Sequence, residues 1–440
     1  MNLFEKAMIA GLVTVIVVIS AFPVRAENGT RRSRIDRTIP NGITRAEYDH
    51  MAAYYRSLPP EARKASATSK TYIVGDRETF WVQSNEVWVQ ITAECRKVAA
   101  ESYVFVEIED AGGNPVLAGT DGGYISQTDA DNVAAEFSSI YGKVRNAFGN
   151  EVVTGPNGET KIVLLLLDID DTLATNPESK LNTAGYFYSV DLMTETVAVK
   201  YDLHSNERKI FYIDTFPSID GSNPPTTDHT DDVDPDITSL YGTLAHEFQH
   251  MVHNGLDDNE STWVNEGCSG LAEYICGYGI RKPDNLAPSG GNNSLADWTG
   301  SLIDYEQVAL FFLYLYEQYG GGPTIKSVAA RKDTSVAGID AVLALKGYAQ
   351  RMKDVFDDWS VTNLVSAKTG VPTKYHYTGI DLGPYPFAPA ATHSSYPANG
   401  AGMLAEWSNR YVEFKPGSPL SIVYNATGNI CAPVVSLLSG

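Results

Sequence analysis

The sequence predicts a mixed α+β fold. Three observations carry that prediction. Residues 71–111 hold "ETFWVQ", "VWVQITAEC" and "SYVFVEIE", where Val, Ile, Phe, Tyr and Trp roughly alternate with polar residues as half-buried strands do. Residues 161–169, "KIVLLLLDI", hold a continuous apolar run, as in a strand covered on both faces. Around them lie segments whose apolar residues recur every three or four positions, the period of amphipathic helices.

In chain order, Lys6 precedes an apolar run from Ala7 to Phe22 and then Val24-Arg25-Ala26. A charged start, a short apolar core and a small-residue site read as an export signal over residues 1–26, cut after Ala26. The competing reading is an uncleaved anchor. The run is shorter than the ~20 residues of a spanning helix, and no later run is long enough. The mature chain is therefore expected to be soluble, secreted or periplasmic, with no membrane span. Residues 27–70 hold nine Arg and Lys against five Asp and Glu; they read as a pro-segment or a solvated arm.

Residues 71–120 then form a small β unit. "TDADNVAAEFSSIYGKVRNAFG" follows as a helix with Val133, Phe137, Ile140, Val144 and Phe148 on one face. Thr128 or Asp129 is the expected cap, and Gly149 suits its end. Beyond the 161–169 strand, further strands are expected at "GYFYSVD", "TVAVKYD" and "KIFYIDT", then a Pro-, Gly-, Ser- and Asp-rich loop over 216–236. Helices follow over about 237–254, through "WVNEG" to about 278, over 305–319 up to three glycines, and over 352–365. Residues 121–366 thus make the main domain. Residues 367–440, with "RYVEF" and "LSIVYN", make a C-terminal β module. There is no internal repeat.

The formal net charge is −21. Removing residues 1–26 takes away Lys6, Arg25 and Glu5, which leaves −22. Such a chain repels phosphate backbones, so nucleic acid is not an expected partner. The four cysteines are too sparse for a disulfide scaffold. Cys268 and Cys276 sit eight residues apart in one expected helix, ~12 Å between Cα atoms, beyond the ~7 Å a disulfide spans. Each is open to pairing with Cys95 or Cys431, or to remaining a buried thiol.

The chemistry concentrates in "YGTLAHEFQHMVHNGLDDNESTWVNEGCSGLAEY". Only eight histidines occur in the chain, and His246, His250 and His253 fall within eight residues. On a helix, His246 and His250 stand one turn apart and face the same way. That spacing lets both imidazoles reach one Zn2+ at ~2.0–2.1 Å. Glu247 lies beside the first ligand, where a base can take a proton from water; this is the HExxH pattern. The extended HExxHxxGxxH form needs Gly at 253 and His at 256, but the chain has His253 and Leu256. The third ligand is expected to be Glu266, sixteen residues after His250. Two His and one Glu leave a coordination position open for water, as catalytic sites do.

With those residues in place, "HEFQH…WVNEGCSGLAEY" resembles the glutamate-type zincins, in whose aminopeptidase-like members WLNEG supplies the third ligand and a second glutamate follows seven residues later. Glu273 holds that position here. The wider chain looks like the secreted hyicolysin-type peptidases and their relatives. "KIVLLLLDIDD", "SNERKIFYIDT", "HEFQHMV", "WVNEG", "YEQVALFFLYLYEQYG" and "VFDDWSV" carry the likeness over about residues 70–365. The likeness is strong around the motif, weaker before 120 and vague after 367. It implies an α+β fold with a thermolysin-like zincin catalytic domain, a mixed β-sheet and active-site helices, flanked by small β units.

It also implies a zinc metalloendopeptidase acting on protein or peptide substrates, expected as a monomer. Glu247 would be its general base, and Tyr305, at the start of a helix like the one carrying the relatives' catalytic tyrosine, its oxyanion donor. Glu273 and His253 would support the ligands from behind. The chain departs from the pattern in two ways. The span from HExxH to the glutamate is a few residues shorter than in thermolysin or the aminopeptidases. Moreover, 201–244 holds no GxMEN-type segment to grip a free amine, which favours internal cleavage.

Asp168–Asp171 and Asp228–Asp236 offer oxygen ligands for Ca2+ but match no EF-hand; a solvated loop is the plainer reading. Asn28, Asn259, Asn292 and Asn425 begin glycosylation sequons. Two other functions stand beside the endopeptidase: an aminopeptidase of the same superfamily, and an inactive zincin-like exported binding protein.

Overall fold

The computed structural model describes residues 7–9, 13–22, 45–65, 70–84, 87–117, 124–169, 183–215, 237–398, 400–415, 420–422, 429–431 and 434–438. The expected cleavage site at Ala26, the loop 216–236 with its aspartates, Asp170, Asp171, Asn28, Asn425 and the side chain of Cys431 lie outside the described residues. The chain divides into two units: Arg37–Asn259 with Ala272–Gly279, and Met1–Asp36 with Glu260–Leu271 and Ile280–Gly440.

The first unit is built on a six-stranded mixed sheet. Its strands run Arg77–Ser84, Val87–Val98, Ser102–Glu109, Ile162–Leu167, Ile210–Asp214 and Gly185–Phe187 in spatial order. The alternating segments form the antiparallel side, and the apolar run pairs in parallel with both its neighbours. Every residue of Ile162–Leu167 is buried, which is why the run carries no polar alternation. The expected β unit before residue 120 and the strands after it share this one sheet.

Helix Gln127–Ala147 buries Val133, Phe137, Ile140 and Val144 as its period requires. Its cap is Ser126, not Thr128 or Asp129: Ser126 Oγ accepts from the Asp129 amide, and the Asp129 carboxylate accepts from the Ser126 amide. This reciprocal pair satisfies two orphan donors, more than a lone aspartate at the cap would. Gly149 has φ +133°, and a Cβ there would lie 2.9 Å from Leu256 Cδ1.

Residues 196–202 are not the expected strand. They form helix Glu195–Ala198 and a 3-10 turn, Val199–Tyr201, ending at Asp202 with φ 57°. The segment closes on its own contacts. The Val197 and Ala198 amides donate to Thr194 O at 2.9 and 3.1 Å, and the Glu195 carboxylate meets His204 Nδ1 and the Ser205 amide at 2.7 Å each. Val197 and Ala198 are buried in the sheet's core. This packing outweighs the weak strand preference of two valines. "GYFYSVD" likewise keeps only Gly185–Phe187 as a strand before a 3-10 turn, Ser189–Leu192. In the basic segment, helix Arg45–Ser57 buries Tyr48, Met51 and Ala52 in the same core, so this part is packed rather than solvated.

Asp191 is buried beneath this sheet, with Tyr212 Oη donating to Oδ2 at 2.7 Å and the Asn206 amide to Oδ1 at 2.5 Å. Burial pushes its carboxyl up from 3.8 to about 7, against these hydrogen bonds. A raised folded value means the group adds stability below its unfolded value and loses it as the pH rises toward 7, by about 1.4 kcal/mol per pH unit within that window. Urea unfolding of wild type and Asp191→Asn between pH 4 and 7.5 should therefore show wild type losing ground to the variant as pH rises. A pH-independent difference would refute this.

The second unit holds helices Leu302–Gln318, Gly322–Ala329, Ser335–Leu345 and Met352–Val365. The sequence reading found the first and last and missed the two between them, whose starts follow glycines or a charged turn. A small sheet joins Val13–Phe22, Ala391–His393, Ser408–Phe414, Asn429–Cys431 and Val434–Leu438. Val13–Phe22, the apolar core of the expected export signal, is thus a strand here, paired with Ser408–Phe414 on one side and the last two strands on the other. Its Val- and Ile-rich composition suits a strand. Among the described residues, no helix is long and apolar enough to cross a membrane.

Candidate metal centre

The histidine-bearing helix is Ile237–Leu256. Leu240, Leu244, Phe248 and Met251 are all buried, so the apolar stripe seats the helix. Phe248 packs on Phe137 and stacks on Tyr141, each with ring centroids 5.3 Å apart. Opposing packing of this kind leaves a second face for polar groups. His246 and His250 share that face one turn apart, their ring centroids 4.7 Å apart and their planes at 75°.

The glutamate-bearing helix is Thr262–Cys276. His246, His250 and Glu266 each present one ligand atom, and these three atoms lie within 4.8 Å of one another. Ligands that share an ion at about 2.1 Å stand roughly 4 Å apart or less, so the donor set fits zinc with little closure. His250 and Glu266 are buried, and His246 is partly so. Two nitrogens and one carboxylate oxygen form the donor set of catalytic rather than structural zinc sites.

Glu273 stands behind the trio. Its Oε1 lies 2.8 Å from His246 Nδ1. Seven residues separate it from Glu266, and seven steps of about 100° return to nearly the same helix face. A carboxylate on Nδ1 fixes the imidazole tautomer and leaves Nε2 to face an ion. Glu273→Ala should therefore weaken zinc binding by about 10- to 100-fold in a competition titration; wild-type affinity would remove Glu273 from the site.

The other expected residues sit as follows. Glu247 is buried at 6% exposure beside His246. His253 is buried at 1% and stands outside the trio. Tyr305 is half-buried near the start of helix Leu302–Gln318, its ring 4.7 Å from that of Trp298, with Arg281 Cζ 5.2 Å from its centroid. Cys95, Cys268 and Cys276 are buried free thiols. Burial pushes Cys276 up to about 12, so it offers no thiolate at neutral pH. Sequence reasoning passed over Trp263 and Gly267, which flank Glu266 and seat its helix; the signal was present in "WVNEG" itself, a large anchor and a glycine around the ligand.

No family model matches the chain. It is similar to the neutral metalloprotease ShpI of Staphylococcus hyicus, at 29% identity over 222 residues. That stretch takes in 46% of this chain and 45% of the relative, so the chain spans about half the length of the curated relative it matches. Together, the similarity and a trio able to hold a metal ion support a metalloprotease relationship.

Proposed function

We propose that the chain is a secreted zinc endopeptidase of the glutamate-type zincin class, akin to the hyicolysin-type peptidases. The convergence of His246, His250 and Glu266 carries this reading, and the similarity to a neutral metalloprotease supports it. A zinc ion held by these three residues would polarise a peptide carbonyl and lower the pKa of water to ~7.

The chain's own groups do the rest. Glu247 takes the proton from the attacking water and returns it to the leaving amine. Tyr305 donates a hydrogen bond to the oxygen on which negative charge develops. Glu273 holds His246 in one tautomer and orientation. Internal cleavage is read from the lack of a GxMEN-type segment over 201–244, and export from the signal-like sequence of residues 1–26.

Casein hydrolysis tests the class, and a pair of peptides tests the mode. Activity should vanish with a chelator, return with zinc, and act on an N-terminally blocked peptide as well as on its free-amine form. Cleavage confined to free-amine peptides would make the protein an aminopeptidase. Metal-bound protein inert on every substrate would favour the exported binding protein.

A further inference from the structure

We propose that Phe312 is a positioning residue for the metal site: its ring lies on the backbone of Gly267 and sets where Glu266 stands along its helix. This rests on the zinc reading above.

A Cβ added at Gly267 would fall 2.1 Å from Phe312 Cδ2, 2.4 Å from Cε2 and 2.9 Å from Cγ. No real Cβ contact is that short, so the ring occupies the space a side chain would need. The other glycine of this helix face behaves differently. A Cβ at Gly270 would meet Ala309 Cβ at 3.7 Å, ordinary contact. The close approach is thus confined to the residue next to the ligand.

Neither partner has room to yield. Phe312 is fully buried, with Phe311 edge-on at 5.8 Å and Trp263 at 6.0 Å. Trp263, one turn before Gly267, is 1% exposed, and its Nε1 donates to Ser335 Oγ at 2.9 Å. At about 100° per residue, Trp263, Gly267 and Gly270 share one face, and Glu266 and Glu273 share the neighbouring face. The packed face therefore fixes the axial and rotational setting of the face that bears the ligand. Interiors this dense transmit rather than absorb a displacement. A shift of about 1 Å is half a zinc–oxygen bond, so a change at Gly267 reaches the ion through Glu266.

The test uses the whole chain loaded with Co2+, whose visible spectrum reports coordination, together with zinc affinity by competition and thermal unfolding. Gly267→Ala should alter the cobalt band and weaken zinc binding by about tenfold or more. Gly267→Ala/Phe312→Ala, which removes all three ring atoms nearest the added methyl, should restore both, and Gly270→Ala should match wild type. Phe312→Leu alone, which keeps a buried apolar side chain, should shift the band while unfolding stays cooperative, and it serves if Gly267→Ala does not fold. Folded Gly267→Ala or Phe312→Leu with wild-type spectrum and affinity would overturn the proposal, as would a folded double variant without restoration. Wild type that takes up no cobalt or zinc would instead defeat the zinc reading itself.

Discussion

Glu247→Gln should lower casein hydrolysis by about 10²- to 10⁴-fold while the purified protein keeps its zinc. The substitution preserves the volume of a side chain buried at 6% exposure, so the histidine helix and its packing on Phe137 and Tyr141 should stand. What changes is proton affinity. An amide cannot take the proton from water, nor hand one to the leaving amine. Residual hydrolysis within tenfold of wild type, at equal metal content, would mean that Glu247 is not the base.

Glu266→Ala should go further and remove the metal itself. Losing a direct ligand should weaken zinc binding well beyond the roughly 100-fold upper range for a supporting partner, with hydrolysis falling in step. A second readout follows from linkage. An ion that binds only the folded state stabilises it by about 4 kcal/mol at a thousand times its dissociation constant. Chelation should therefore lower the unfolding temperature of wild type and leave that of Glu266→Ala unchanged. Wild-type zinc content in this variant would assign the third ligand elsewhere. His253 would then be the first residue to examine, since it lies one turn beyond His250 on the same helix.

The candidate site was legible in the sequence because its logic is local. Helical spacing alone places His246 beside His250, and "WVNEG" one short loop later supplies Glu266. Glu273 was legible for the same reason, seven residues being nearly two turns. Continuous burial on both faces made Ile162–Leu167 readable as a central strand.

The rest depended on contacts that no short stretch announces. Val197 and Val199 look like strand residues, yet Thr194 and Glu195 close that segment into a turn. The cap of Gln127–Ala147 lies at Ser126 because it answers Asp129 three residues on. The Phe312 ring on Gly267 joins residues 45 positions apart, a pairing visible only once the helices are packed.

The most direct single measurement is an anomalous difference map, collected at the zinc edge, from crystals of the purified wild-type chain. One peak should appear, about 2.0–2.2 Å from an imidazole nitrogen of His246, one of His250 and a carboxylate oxygen of Glu266. A zinc peak held by other residues, with Glu266 remote from both imidazoles, would contradict the assigned centre and the hydrolysis derived from it.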